Sequence, residues 1–212
     1  MTPASSSSLP TVIPVFPLGG ALLLPRTRLP LNIFEPRYRA MVTDALKGAG
    51  FIGMVQPRSS GAAPPVYGVG CLGKIAHSSE TEDGRYLIAL AGISRFQVRE
   101  ELKQSTPYRQ MAVDYSAFTD DLRESRTAID RDQLLTALRR YLDHIGFAVD
   151  WETVEAMPSE ALVNAIAMLA PFSPAEKQAL LEAPSLGERA ALEITLLRFA
   201  VADPNPSDTR PH

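Results

Sequence analysis

The chain has 212 residues, enough for one or two domains and for a substantial apolar core. A hydrophobic fraction of 45% and a charged fraction of 21% exclude a disordered or fibrous chain. A net charge of −3 gives no overall pull toward nucleic acid or an anionic membrane, and one cysteine builds neither a disulfide framework nor a thiolate zinc site.

The charge is uneven. Residues 1–116 carry 12 Lys+Arg against 8 Asp+Glu, a formal +4, and residues 117–212 carry 9 against 16, a formal −7. Such asymmetry marks either a basic binding surface in the first half or two halves of complementary charge.

Residues 1–10 are Ser-rich, and a mobile N-terminus is expected there. Four apolar runs follow, Val12–Leu18, Ala21–Leu24, Leu29–Phe34 and Phe51–Val55, each bounded by Pro or Gly. Short apolar runs between breakers read as buried strands. Pro14, Pro17, Pro25 and Pro30 remove ladder donors, so the strands are short, bent or at edges, which suits a small curled barrel. Between them, Pro36 fits a first helical position and makes Glu35 the expected N-cap, its carboxylate accepting from free amides. Tyr38, Met41, Val42, Ala45 and Leu46 form one apolar stripe, and Gly48 and Gly50 stop the helix.

Pro57–Pro65 is a loop by composition, long enough to move. Tyr67–Thr81 and Arg85–Val98 read as a hairpin, with Asp83-Gly84 predicting a primed turn and Gly92 a bulge or barrel corner. Phe96 and Val98 alternate with Arg95, Gln97 and Arg99 as in a half-exposed strand, and Tyr108–Tyr115 is the last strand. From about Phe118 the hydrophobic period becomes helical. A long helix carries Leu134, Leu135, Leu138, Tyr141, Leu142 and Ile145 and ends at Gly146. Ser159–Leu169 is a second helix capped at Ser159, Ser173-Pro174 with Glu176 opens a third, and Leu186–Val201, capped at Ser185, is a fourth. Residues 203–212 are a polar, Pro-rich tail.

The run VFPLGGALLLPRTRLPLNIFEPRY, the helix after it, GFIGMVQP and then VGCLGKIAHSSETEDGRYLIALAGISRFQV resemble the N-terminal substrate-binding domain of the Lon ATP-dependent protease, and specifically standalone bacterial proteins made of that domain alone. The likeness is strong over Val12–Tyr115 and weak over the helical remainder. It implies an α+β chain: a PUA-like pseudo-β-barrel with one inserted helix, followed by a C-terminal α-helical bundle. It also implies a non-enzymatic module that recruits unfolded or tagged polypeptides. The expected organisation is a flexible N-terminus over 1–11, the barrel over 12–118, the helical bundle over 119–202 and a flexible tail over 203–212.

Residues that could carry chemistry have plainer readings. Gly68–Ile75, GVGCLGKI, satisfies both G-x-x-x-x-G-K and G-x-G-x-x-G, but the P-loop's Ser/Thr position holds Ile75 and a strand pattern follows where a phosphate site needs a helix. Ser78 and Ser79 lie near Lys74 and His77, yet no G-x-S-x-G elbow exists. His77, His144 and His212 are scattered, so no metal ligand set is expected, and no cofactor. Candidate polypeptide-binding residues are Phe34, Glu35, Arg37, Tyr38, Met54 and Gln56, with Arg37 otherwise pairing with Glu35. The competing reading is an RNA-binding face around Arg95, Arg99 and Arg109, diluted by Glu100, Glu101 and Asp114. A third reading is an adaptor for one folded partner. The N-terminus has no basic residue and no unbroken apolar core, so neither a signal peptide nor a membrane span is expected, and the expected location is the cytoplasm.

Overall fold

In a computed structural model, residues 9–61, 63–124 and 127–202 are described. The chain divides into two units, Met1–Glu124 and Ser125–His212. The Ser-rich residues 1–8 and the tail 203–212 lie outside the described residues.

Six strands build the first unit: β1 Val12–Pro17, β2 Arg28–Ile33, β3 Phe51–Val55, β4 Val69–Glu80, β5 Tyr86–Leu102 and β6 Gln110–Asp114, with α1 Pro36–Lys47 between β2 and β3. They form one sheet in the order β2-β5-β4-β3-β1-β6, and β6 pairs back onto β5. The sheet therefore closes on itself. β5 makes this possible by its length: Tyr86–Ala91 pair with β2 and Gln97–Leu102 with β6, while β4 runs along its other side. β1 and β3 are parallel, joined through β2 and α1.

The barrel is curved by irregularities. Register shifts fall at Leu72/Gly73, at Ile75/His77 and at Val98/Glu100. At the first of these Gly73 faces Gly92 while Leu72 faces Ser94, so Ile93 is the extra residue and Gly92 sits beside a bulge, as the sequence predicts. A Cβ on Gly92 would lie 1.9 Å from the Leu24 carbonyl oxygen. Gly68–Ile75 leads into and joins β4 as extended chain, in keeping with its strand pattern. Inside are Ile13, Val15, Leu72, Phe96, Met111 and Val113, all buried. Fully burying a side chain such as Phe96 stabilises by about 1.5–3 kcal/mol.

Two local expectations for this unit are corrected. Ala21–Leu24 is not a strand, although Leu22, Leu23 and Leu24 are buried. Its backbone is satisfied by a turn in which the Thr27 hydroxyl both accepts from the Leu24 amide and donates to its carbonyl. Arg26 N–H to the Gly92 carbonyl and Gly92 N–H to the Thr27 carbonyl then pin this loop to the bulge. The hairpin turn is not primed either. A type I′ turn needs positive φ at both central residues, and only Gly84, at +74°, supplies it. The Gly84 amide donates to the Thr81 carbonyl, so the loop is a three-residue turn with its left-handed glycine last.

The helical unit holds α2 Arg131–Ile145, α3 Trp151–Ala156, α4 Ser159–Leu169, α5 Pro174–Glu182 and α6 Leu186–Ala202. Leu134, Leu138, Tyr141, Leu162, Val163, Ile166, Ile194 and Leu197 form its core. α2 is capped by Asp130, which accepts from the Gln133 amide, and ends at Gly146 in the left-handed region. The capping box at Ser173 and Glu176 is present. Ser159 is not a cap: it is the first residue of α4, after Pro158, and its hydroxyl takes a hydrogen bond from Arg131. The short α3 has no counterpart among the expected helices. Its six residues are too few to show an apolar period, and Asp150 caps it. Asp120–Leu122 belong to the first unit, as the end of the 3-10 segment Ser116–Leu122, because Asp121 binds Arg95 of β5. Among the described residues no helix is long and apolar enough to cross a membrane.

Candidate functional site

The six residues singled out for polypeptide binding separate into two groups. Phe34 follows β2 directly and is 64% exposed. Glu35 and Arg37 are part-exposed and form an ion pair at 2.8 Å. Arg37 also places its guanidinium 4.5 Å from the centre of the Tyr38 ring. Glu35 occupies the N-cap position of α1, but its carboxylate makes no capping bond and turns to Arg37 instead. Only its backbone carbonyl serves the helix, accepting from the amides of Tyr38 and Arg39.

Tyr38, Met54 and Gln56 are interior. Tyr38 is 6% exposed and packs on Phe16 with ring centres 4.3 Å apart. Burial holds its phenol above the ordinary value, against the lowering effect of Arg37. Met54 is buried on β3, with Phe16 and Cys71 as its register partners. The Gln56 side chain, 1% exposed, accepts from the Gly20 amide and so fastens the β1–β2 connection. The surface available to a ligand here is therefore Phe34 with the Glu35–Arg37 pair, standing on a rigid aromatic base.

The three arginines of the nucleic-acid reading do not form an open basic face. Arg95 is inside the barrel wall, bonded by Nε and Nη2 to both oxygens of Asp121 at 2.9 Å. Arg99 pairs with Asp114 across β5 and β6. Arg109 pairs with Glu101 at 2.7 Å and donates to the Pro64 carbonyl. An alternating strand pattern suggests exposure for Arg95, and Arg95 does lie on the face of β5 opposite Phe96, but Asp121 and Phe118 of the 3-10 segment cover that face.

A second surface had no motif to announce it. Beside the first half of β1 is a groove of about 230 Å³, walled by Val12 and Pro14, by the end of α1 and by Phe51. Val12 is 45% exposed although it is a strand residue. Asp44 stands at the edge of this groove and accepts a hydrogen bond from the Tyr108 hydroxyl at 3.0 Å. Among the described residues, no group of His, Cys, Asp and Glu is arranged to hold a metal ion.

Residues 12–198 match the profile of the family described as the ATP-dependent protease La (LON) substrate-binding domain. The chain belongs to this family. It is 27% identical over 201 residues to the Lon protease of Anaeromyxobacter dehalogenans and 26% identical over 201 residues to Lon protease 2 of Myxococcus xanthus. In both cases the alignment covers 91% of this chain and 24% of the relative, so the chain spans about a quarter of the length of these proteins. Among solved structures, a Lon N-terminal domain protein from Xanthomonas campestris superposes with a TM-score of 0.63 at 21% identity, covering 89% of this chain and 98% of that one. The N-terminal domain of a Mycobacterium avium complex Lon protease gives a TM-score of 0.63 at 17% identity, covering 88% and 98%. These likenesses show the fold: an α+β Lon N-terminal domain, with a PUA-like barrel followed by helices.

Proposed function

We propose that this Lon substrate-binding domain is a non-catalytic polypeptide-recognition module, taking unfolded or tagged chains and acting without ATPase or protease chemistry of its own. The observation that carries this reading is the family match over residues 12–198, nearly the whole described chain, to a domain whose description is substrate binding. The surface chemistry supports it. Phe34 and Val12 are large apolar groups left in solvent on a barrel whose interior is filled. Single exposed apolar groups of this kind offer weak, sequence-tolerant contact to an unfolded chain. The pairing of Arg95, Arg99 and Arg109 with carboxylates argues against RNA as the ligand.

The test is fluorescence anisotropy with reduced, carboxymethylated α-lactalbumin and with single-stranded RNA across a salt series. The expected result is micromolar binding of the unfolded protein that changes little between low and moderate salt, and little RNA binding at physiological salt. For single strands, each neutralised phosphate adds about 0.7 to the log–log salt slope. A steep slope with RNA would overturn the reading. Casein cleavage or ATP hydrolysis by the purified chain would overturn its non-catalytic part.

A further inference from the structure

We propose that the outer side of β2 takes up an extended segment of another polypeptide as an added antiparallel strand, one whose residues alternate apolar and polar and which sets an acidic side chain opposite Arg28. This deepens the polypeptide-recognition reading and rests on it.

The closed ring runs through β5, β4, β3, β1 and β6, and β2 hangs on the near half of β5 outside it. Among the described residues β2 alone has a single partner strand. The direction of its backbone follows from the hairpin. The Thr81 amide donates to the Arg85 carbonyl, and the register runs from Glu80 opposite Tyr86 to His77 opposite Ala89 without a shift. Bonds in an antiparallel pair recur at every second residue, so Arg85, Leu87 and Ala89 turn to β4, and Tyr86, Ile88 and Leu90 turn to β2. Their partners Ile33, Leu31 and Leu29 therefore face β5, and Arg28, Pro30 and Asn32 face away. The bond from the Gly92 amide to the Thr27 carbonyl gives the same alternation, and Pro30, which has no amide, stands where β5 asks for none. Among the described residues nothing bonds the outward amides and carbonyls of Arg28 and Asn32 or the carbonyl of Pro30. Such an edge is completed by an extended chain.

The side chains narrow the occupant. Leu29 and Leu31 share the inner face with buried Ile88 and Leu90 but are themselves only half-buried. An added strand covers them with every second side chain, and apolar groups gain most there. Its other side chains lie beside exposed Arg28, Pro30 and Asn32 and stay in water. Arg28 forms no ion pair among the described residues, and β2 holds no acidic residue, so a carboxylate opposite it is favoured. Exposed Leu87, opposite Asn32, and Phe34, just past the strand, offer further apolar contact. A second copy of the chain fits less well. Two β2 strands pair antiparallel over all three outward residues only with Pro30 against Pro30, where two carbonyls meet with no amide between them.

The variant Asn32→Pro isolates the claim. It removes one outward amide and leaves the bonds of Leu29, Leu31 and Ile33 to β5 in place, at the kind of position that Pro30 already occupies. Asn32→Ala keeps the amide and is the control. Two probes are used with the full chain: reduced, carboxymethylated α-lactalbumin, and a capped seven-residue peptide in which threonine alternates with valine and the fifth residue is glutamate. The expected results are displacement of the unfolded protein by the peptide, about fivefold weaker binding of both by Asn32→Pro, and unchanged binding by Asn32→Ala. Replacing the glutamate by lysine should weaken the peptide about two- to threefold in the wild type and not in Arg28→Gln. N-methylation of the threonine and glutamate amides, which face β2 in this pairing, should abolish peptide binding, and N-methylation of the valines should not. This holds as a test even where Asn32→Pro fails to fold. If α-lactalbumin binds but the peptide does not displace it, or if either N-methylated peptide binds as the parent does not predict, the edge assignment is overturned and the polypeptide-recognition reading stands. If nothing unfolded binds, both fall. A dimer of the wild type that Asn32→Pro dissolves, seen by sedimentation, overturns the assignment in favour of a second copy of the chain.

Discussion

Arg95 and Asp121 form a closed, two-pronged ion pair that ties the 3-10 segment to the middle of β5. The guanidinium meets both carboxylate oxygens at 2.9 Å, and the Arg95 backbone amide adds a third bond at 2.8 Å to Oδ2. The two side chains are 6% and 9% exposed. Phe118 lies under the guanidinium, 4.5 Å from its ring centre. Removing one partner leaves the other buried and uncompensated, so Asp121→Ala should destabilise the first unit by about 3–5 kcal/mol in urea unfolding. Arg95→Met combined with Asp121→Leu should recover most of that loss, because two apolar groups leave no buried charge. Loss of any ligand by Arg95→Ala must accordingly be checked against loss of the fold.

Glu193 gives the helical unit a pH dependence. It is fully buried on α6, neither carboxylate oxygen has a hydrogen-bond partner, and burial pushes its pKa up to about 9 despite Arg189 one turn away. A carboxyl raised in the folded state binds more protons folded than unfolded between its ordinary value and about 9. Stability in that window therefore falls as pH rises, by up to about 1.4 kcal/mol per pH unit. Between pH 5 and pH 8, the unfolding midpoint read from Trp151, the sole tryptophan, should drop in the wild type. It should change far less in Glu193→Gln, which is also the more stable protein at pH 8. Parallel profiles for the two would refute the assignment.

The two glycines of the G-x-G run predict opposite outcomes. A Cβ on Gly70 would lie 2.5 Å from the Met54 carbonyl oxygen and 2.5 Å from the Phe96 ring, while nothing lies within 4 Å of one on Gly68. Gly70→Ala should cost about 3 kcal/mol or more, since neither neighbour is a flexible side-chain end. Gly68→Ala should fall within about 0.5 kcal/mol of the wild type. Thermal unfolding of both variants decides whether these glycines serve packing.

Helix caps give a third contrast. Ser173→Ala removes the hydroxyl that accepts from the Glu176 amide and leaves the reciprocal bond from the Ser173 amide to the Glu176 carboxylate, and should cost about 1 kcal/mol. Glu35→Ala removes an ion pair whose side chains are 39% and 42% exposed and no capping bond, so it should cost less than about 0.5 kcal/mol. Equal losses would show that Glu35 caps α1 after all.

The barrel was legible because its breakers and apolar runs alternate at short range: β1, β3 and the hairpin lie close to where Pro, Gly and the valine-rich stretches place them. Leu22–Leu24 misled because an apolar loop, satisfied by the Thr27 hydroxyl and the Gly92 backbone, has the composition of a strand. Arg95 misled because alternation places it opposite Phe96 but says nothing of the 3-10 segment that covers that face with Asp121 and Phe118. Of the candidate site, the Glu35–Arg37 pair was legible locally, whereas Phe34 belongs to a run that reads as a buried strand and is exposed because β2 ends at Ile33. The interior places of Tyr38, Met54 and Gln56 depend on Phe16 and Gly20, which come to them only through the fold.

Closure of the sheet by β6 has a consequence for the order in which the unit is made. β1 is the first strand of its unit to be synthesised, and β6, which it needs, is the last. The β4–β5 hairpin forms from sequence neighbours, but the ring waits for Gln110–Asp114. Until then β1 and the far half of β5 hold unpaired backbone toward solvent, the condition under which strands pair with the wrong chain. A nascent chain that stalls before Asp114 is therefore an open, adhesive sheet, not a smaller barrel.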